Sequence, residues 1–279
     1  MLGDHVPVIG LIVKGGGLAS HVWHATMIDE LSHACLSAGA VPVVVTRVDS
    51  QPPDDVVRAL RGGQVDGLVI SVDSLATRWV GDLAASPTPT VLIGRQDVLD
   101  LPFVDTDGEN AVRRLVHYLH ALGRRRIGLL TGPLDRPSVQ ARRQGWRRGI
   151  EEAGLLLDEN LVVEGDFTPA SGEAAARLLA DRVPDAVVAM SDQMAMGLVT
   201  GFVAAGLQVP ADVAVAGADG TLVGTGIGWL TSIEQPYALM AESAVAELLA
   251  CIDGHDPSPA TLLLGDLVIG PSTDPKFGE

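Results

Sequence analysis

The sequence predicts an α/β protein of two similar lobes, each a parallel sheet flanked by helices, with a ligand cleft between them. Three observations carry this. Short, nearly continuous runs of Val, Ile and Leu alternate with helical segments, as strands buried on both faces do. The same β-α-β-α-β plan is read twice along the chain. With 279 residues, 47% of them hydrophobic but only 4% aromatic, there is enough aliphatic material for two such cores.

In the first half, Val8–Val13 reads as a strand and Val22–Ala38 as a helix that ends at Gly39. Val41–Thr46 is the next strand, Asp54–Arg61 a helix and Asp66–Ser71 a third strand. In the second half, a helix leads to the strand Arg126–Leu130, followed by a Gly-Pro turn and the helix Ser138–Ala153, which ends at Gly154. Leu161–Glu164 is a strand, Ser171–Asp181 a helix, and Asp185–Ser191 and Val213–Gly217 further strands. Gly39 and Gly154 stand where a helix needs a left-handed terminal residue. Tyr237–Ile252 is a late helix, and the tail beyond Gly270 reads as a frayed end. Ligands of such sheets sit beyond the carboxyl ends of strands. The loops to watch therefore follow Val13, Ser71, Ile93, Leu130, Glu164, Ser191 and Gly217.

The formal net charge is -16, so the chain repels phosphate backbones and is a poor nucleic-acid binder by itself. Cys35 and Cys251 lie far apart inside helices and form no CxxC pair, which fits reduced, buried thiols in a cytoplasmic protein. No apolar run approaches a membrane span, and no export signal is read at the start. No membrane is expected among its partners.

Enzyme motifs do not hold up. Lys14–Ser20 gives GxGxxS, which lacks the third glycine of a dinucleotide loop, and Asp49 only loosely resembles a ribose-binding carboxylate. His21 and His24 form HxxH without a third ligand, so polar pocket or surface roles are expected in place of zinc. There is no GxSxG, HExxH or Walker sequence. The expectation is a binder without cofactor or metal. Arg142, after the Gly-Pro turn and near a helix start, can offer two parallel hydrogen bonds to vicinal hydroxyls, a carboxylate or a phosphate. Asp219, at the end of a strand, can accept two hydrogen bonds, or can form a turn with Gly220.

Several ordered blocks resemble the effector-binding core of the LacI/GalR family of bacterial transcription regulators. They are Val104-Asp105 through Gly108 and Ala111, Leu122–Ile127, Thr131-Gly132-Pro133, Ser138, Arg142, Gly145-Trp146 and Glu152-Ala153-Gly154. Ser191-Asp192-Gln193-Met194-Ala195-Met196-Gly197 and Val213–Asp219 follow in the family's order, and the likeness runs from Val8 to Thr273. The resemblance implies ligand contact for Arg142 and Asp219. Ser191 stands where many relatives carry Asn, which offers an amide in place of one hydroxyl. Asp192 reads as a helix cap. Trp23 aligns with an aromatic that often lines the pocket, or is a core residue at the helix start, and Phe167 aligns with another aromatic on the opposite side. Tyr237 offers a hydroxyl or packs at a crossover, and His21 completes the expected ligand-binding set. Arg124–Arg126 reads as a solvated turn that compensates a helix C-terminus.

The resemblance also implies domains: 1–104 with 237–265 as the N-terminal lobe, and 105–236 with 266–279 as the C-terminal lobe. Relatives place a helix-turn-helix headpiece before the first strand. Met1 lies only a few residues before that strand, so the headpiece is expected to be absent and operator DNA to be reached only through it. A small-molecule effector, a homodimer built on helices around Met27–Cys35 and Gln193–Ala205, and cytoplasmic localisation complete the expectation. A periplasmic-type solute-binding protein is the alternative.

Overall fold

The computed structural model describes residues 5–14, 21–47, 63–71, 87–95, 100–222 and 228–274. The expected helix Asp54–Arg61, the loop 15–20 and Asp49 lie outside them, as does the side chain of His21. The chain divides into two units, Met1–Thr106 with Pro236–Leu263 and Asp107–Gln235 with Leu264–Glu279.

In the first unit the strands are β1 (Val8–Lys14), β2 (Val41–Arg47), β3 (Gly67–Ser71), β4 (Thr90–Ile93), β5 (Phe103–Thr106) and β11 (Ala260–Leu263). They form one sheet in the order β11-β5-β4-β3-β1-β2, with every pair parallel. Helices α1 (His21–Ser37) and α6 (Tyr237–Ile252) pack together on one face. Met27, Leu31, Met240, Ala244 and Leu248 meet Ile9, Leu11, Val69, Val91 and Ile93 there. The opposite face presents Ile12, Leu68, Ile70 and Leu92, also buried. Burial on both faces is why the central strands β1, β3 and β4 carry no polar alternation.

The second unit holds β6 (Ile127–Thr131), β7 (Val162–Glu164), β8 (Ala186–Ala189) and β9 (Ala214–Ala216) in the parallel order β7-β6-β8-β9. A separate antiparallel pair joins β10 (Ser232–Glu234) to β12 (Asp266–Val268). Helix α2 (Gly108–Ala121) packs on α3 (Pro137–Glu152), and α4 (Pro169–Ala180) on α5 (Asp192–Ala204). Trp146 and Phe202 are the largest fully buried side chains of this unit. The glycine ends are as expected, with Gly39 at φ 76° and Gly154 at φ 67°.

Element limits shift by a residue or two along the chain, and the tail read as frayed beyond Gly270 is buried at Ser272 and Thr273, where the Val215 amide donates to the Ser272 carbonyl. Leu161 ends a 3-10 turn, Glu159–Leu161, nucleated when Asp158 accepts a hydrogen bond from the Asn160 amide, so the strand starts at Val162. Asp185 precedes β8, where its carboxylate accepts the amides of Arg125 and Arg126 at 2.6 and 2.9 Å and pins the turn into β6. In that turn Arg125 donates to the His120 carbonyl at the end of α2, and Arg124 to the Pro210 carbonyl. A guanidinium on the last carbonyls of a helix compensates its dipole.

The α4–α5 contact depends on glycine. A Cβ on Gly197 would lie 2.0 Å from the Pro169 carbonyl oxygen, and one on Gly172 2.2 Å from that of Met194. Gly197→Ala is therefore expected to lower stability by roughly 1–3 kcal/mol, since overpacking outweighs alanine's better helix propensity. Urea unfolding checks this through the midpoint. An unchanged midpoint would mean the helices can separate without cost.

Candidate functional site

The candidate site of the second unit is the carboxyl edge of its four-stranded sheet. Arg142 lies on the second turn of α3, its stem over Gly108, where a Cβ would be 2.9 Å from Arg142 Cγ. Its Nη1 donates to the Met190 carbonyl at 2.9 Å, just past β8. This bond carries the guanidinium across the sheet to the start of α5. Ser191 follows, 4% exposed, and its hydroxyl accepts the Met194 amide at 3.2 Å. Ser191 is thus the cap of α5, in place of the expected Asp192, because its extended backbone aims the hydroxyl at the first turn.

Asp192 is instead buried as the first residue of that helix. Its Oδ1 accepts the Ser232 hydroxyl at 2.5 Å and its Oδ2 the Leu222 amide at 3.0 Å. Its own amide donates to Asp219 Oδ1 at 3.0 Å. Asp219 Oδ1 also accepts the amide and hydroxyl of Thr221, at 3.2 and 3.0 Å. The Asp-Gly turn is therefore real, and it fixes the Asp219 carboxylate beside the start of α5. Burial, then the Asp219 charge, pushes the Asp192 carboxyl far above the usual carboxylate range, to about 8.

At the other end of the edge, Phe167 follows β7 with φ 68°, a left-handed conformation costing a non-glycine residue about 1–2 kcal/mol. Asp166 accepts the amide and hydroxyl of Thr168 at 2.9 and 2.6 Å, and Thr168 caps α4, so the turn is held from both sides. The ring tip points at Gly132, where a Cβ would come within 2.1 Å of Phe167 Cζ. The Arg136 guanidinium lies 4.9 Å from the ring centroid, within cation–π range. Thr131, at the end of β6 next to Gly132, is fully buried, and its hydroxyl has no hydrogen-bond partner among the described residues.

In the first unit, Trp23 on the first turn of α1 makes edge contacts with His24 at 5.2 Å and with Tyr237 at 6.5 Å between ring centroids. Tyr237 is 9% exposed and packs within that unit's core. No cluster of metal-ligating side chains occurs among the described residues.

A groove of about 650 Å³ lies elsewhere on the second unit, along Gln140, Arg143, Gln144 and Arg147 of α3. Its arginines are already engaged, Arg143 and Arg147 with Glu159 at 2.8 and 2.6 Å. Arg148 bridges Glu109 and Glu152 at 3.2 and 3.0 Å.

The model of the periplasmic binding protein-like domain matches residues 116–273. The regulator MalR of Streptomyces coelicolor is 31% identical over 263 residues, covering 89% of this chain and 76% of MalR. The chain belongs to the LacI family. Catabolite control protein A of Priestia megaterium is 35% identical over 180 residues, 63% of this chain. That match spans about half, 54%, of the relative's length. Among solved structures, the transcriptional regulator CelR–cellobiose complex superimposes with a TM-score of 0.87 at 30% identity, covering 95% of this chain and 84% of CelR.

Membership of the LacI family and the parallel α/β architecture agree with the sequence reading. No helix among the described residues is long and apolar enough to cross a membrane. Within the second unit, Arg142, Ser191, Asp219 and Phe167 occupy the carboxyl edge of one sheet, while Trp23 and Tyr237 belong to the first unit. Sequence reasoning missed Arg136, Thr131 and the buried network of Asp192. Arg136 had a usable signal, since it immediately precedes Pro137 at the entry to α3 and stands six positions before Arg142.

Proposed function

We propose that this chain is the effector-binding and dimerisation core of a LacI-type transcription regulator, with a sugar or sugar derivative as its effector and no catalytic activity. The observation that carries this reading is the pairing on one sheet edge of a forked donor, Arg142, with a fixed carboxylate acceptor, Asp219. Vicinal hydroxyls both donate and accept, so such a pair suits a sugar. The likeness to a regulator solved with cellobiose supports the same class.

The expected ligand set is Arg142, Asp219, Ser191 and Phe167 in the second unit with Trp23, Tyr237 and His21 in the first. Ser191 acts through its position more than through its hydroxyl, which is already engaged as a cap. Binding favours one arrangement of the two lobes, and their rotation alters DNA binding by a homodimer through a headpiece on the whole regulator. A ligand shifts such a balance only by its differential affinity, and a nearly complete switch needs about 5.5 kcal/mol. A cytoplasmic location follows from the same reading.

Thermal unfolding against mono- and disaccharides including cellobiose, sugar phosphates, nucleosides and small acids tests the proposal. A compound at about one hundred times its dissociation constant adds about 2.7 kcal/mol, a rise of a few degrees in Tm. A response confined to sugars supports the reading. A response to nucleosides or acids alone would reassign the effector, and none at all would count against a small-molecule sensor.

A further inference from the structure

Asp192 is fully buried, its oxygens accept the Ser232 hydroxyl and the Leu222 amide, and no cation pairs with it among the described residues. A buried ionised carboxylate without a counter-charge is costly. The nearest ionisable neighbour makes matters worse, because Asp219 carries a second carboxylate on the adjoining turn and the two side chains are themselves hydrogen-bonded. Two carboxyl groups this close cannot both ionise cheaply. Asp219 Oδ1 accepts from three donors, the arrangement of an ionised acceptor. The proton of the pair therefore belongs on Asp192.

The fold builds this site deliberately. Gly217 leaves room for the Asp192 carboxyl, since a Cβ there would lie 2.0 Å from Oδ1. Ser232, which donates to Asp192, in turn accepts the Gly220 amide at 3.1 Å. The other charged groups on the packed elements are occupied or exposed. Arg142 on α3 donates to the Met190 carbonyl, Arg114 on α2 to the Gly265 carbonyl, and Arg113 and His117 on α2 pair with Glu152. Glu109 on α2 pairs with Arg148. Glu234 on β10, Asp266 on β12 and Arg177 on α4 are exposed, and Glu173 on α4 is half-buried.

We infer that Asp192 is a positioning residue, a carboxylic acid kept neutral inside the fold so that Asp219 beside it can remain the charged acceptor for the effector. The part that concerns the effector rests on the function proposed above; the protonation itself does not. Because the folded chain holds this proton to about pH 8 and the unfolded chain releases it near 3.8, the sign follows. The contribution to stability is full below the unfolded value, declines as pH rises, and is lost once pH passes about 8.

Infrared spectroscopy of the chain in heavy water at neutral pH should show the carbonyl band of a protonated carboxylic acid, lost in Asp192→Asn. That variant, neutral and nearly isosteric, should fold at neutral pH and lose less stability than the wild type between neutral pH and pH 9. If it fails to fold, Asp219→Asn provides the second test, because removing the neighbouring charge should move the band's midpoint to lower pH. Absence of the band at neutral pH, its survival in Asp192→Asn, or an unmoved midpoint in Asp219→Asn would overturn the inference. None of these readouts needs an effector, so failure of the proposed function leaves them standing.

Discussion

Arg142→Ala is expected to abolish effector binding while the chain still folds. The guanidinium is a forked donor that reaches across the sheet edge to the end of β8, through its 2.9 Å bond to the Met190 carbonyl. Alanine removes every hydrogen bond it could offer a ligand, and a buried polar partner would be left unpaired. The cost is roughly 2–5 kcal/mol of affinity. Stability should change far less, by about 1 kcal/mol, because one hydrogen bond from a half-buried side chain is lost. Arg142→Lys keeps the charge but not the fork, so it should recover only part of the affinity. Isothermal titration with the compound that raised Tm most checks all three. Equal affinity in Arg142→Ala and wild type would remove this residue from the site.

Trp146→Ala should produce the largest loss of stability. The indole is 1% exposed within the core of the second unit, and its Nε1 donates to the Ile127 carbonyl at 3.1 Å. Truncation leaves a cavity and deprives that carbonyl of its donor, for a cost of about 3–5 kcal/mol. Trp146→Phe retains much of the volume and should cost clearly less. Denaturant unfolding followed by circular dichroism measures both. If alanine and phenylalanine cost the same, the hydrogen bond matters more than the packing.

The central strands were legible because they are continuous apolar runs buried on both faces, whereas β10, β11 and β12, short and partly exposed, were not read. Ile127–Thr131 and Ala186–Ala189 are buried at every position, and no polar alternation blurred them. The helix Tyr237–Ile252 was read with its observed limits, since its small and aliphatic residues leave no ambiguity of period. Arg142 and Asp219 were read as candidates at the carboxyl ends of parallel strands, where ligands approach, and it was the resemblance to the family that chose them among the other charged residues. What sequence could not give were contacts made at long range. Asp192 takes its character from Ser232 and Leu222, 40 and 30 positions away. A local reading made it a cap, and the neighbouring serine took that task. Likewise Phe167 was read as a bare aromatic wall, whereas its ring tip rests on Gly132 and one face carries Arg136. The guanidinium is thus part of that wall.

The claim that this sheet edge is the effector site is tested most directly by mapping amide chemical shifts during titration with the stabilising compound. The largest changes should cluster at Gly132, Phe167, Ser191, Asp192 and Gly220, around the ends of β6 to β9. Changes centred on Gln140, Arg143 and Arg147, with the sheet edge silent, would place the ligand in the α3 groove and contradict it.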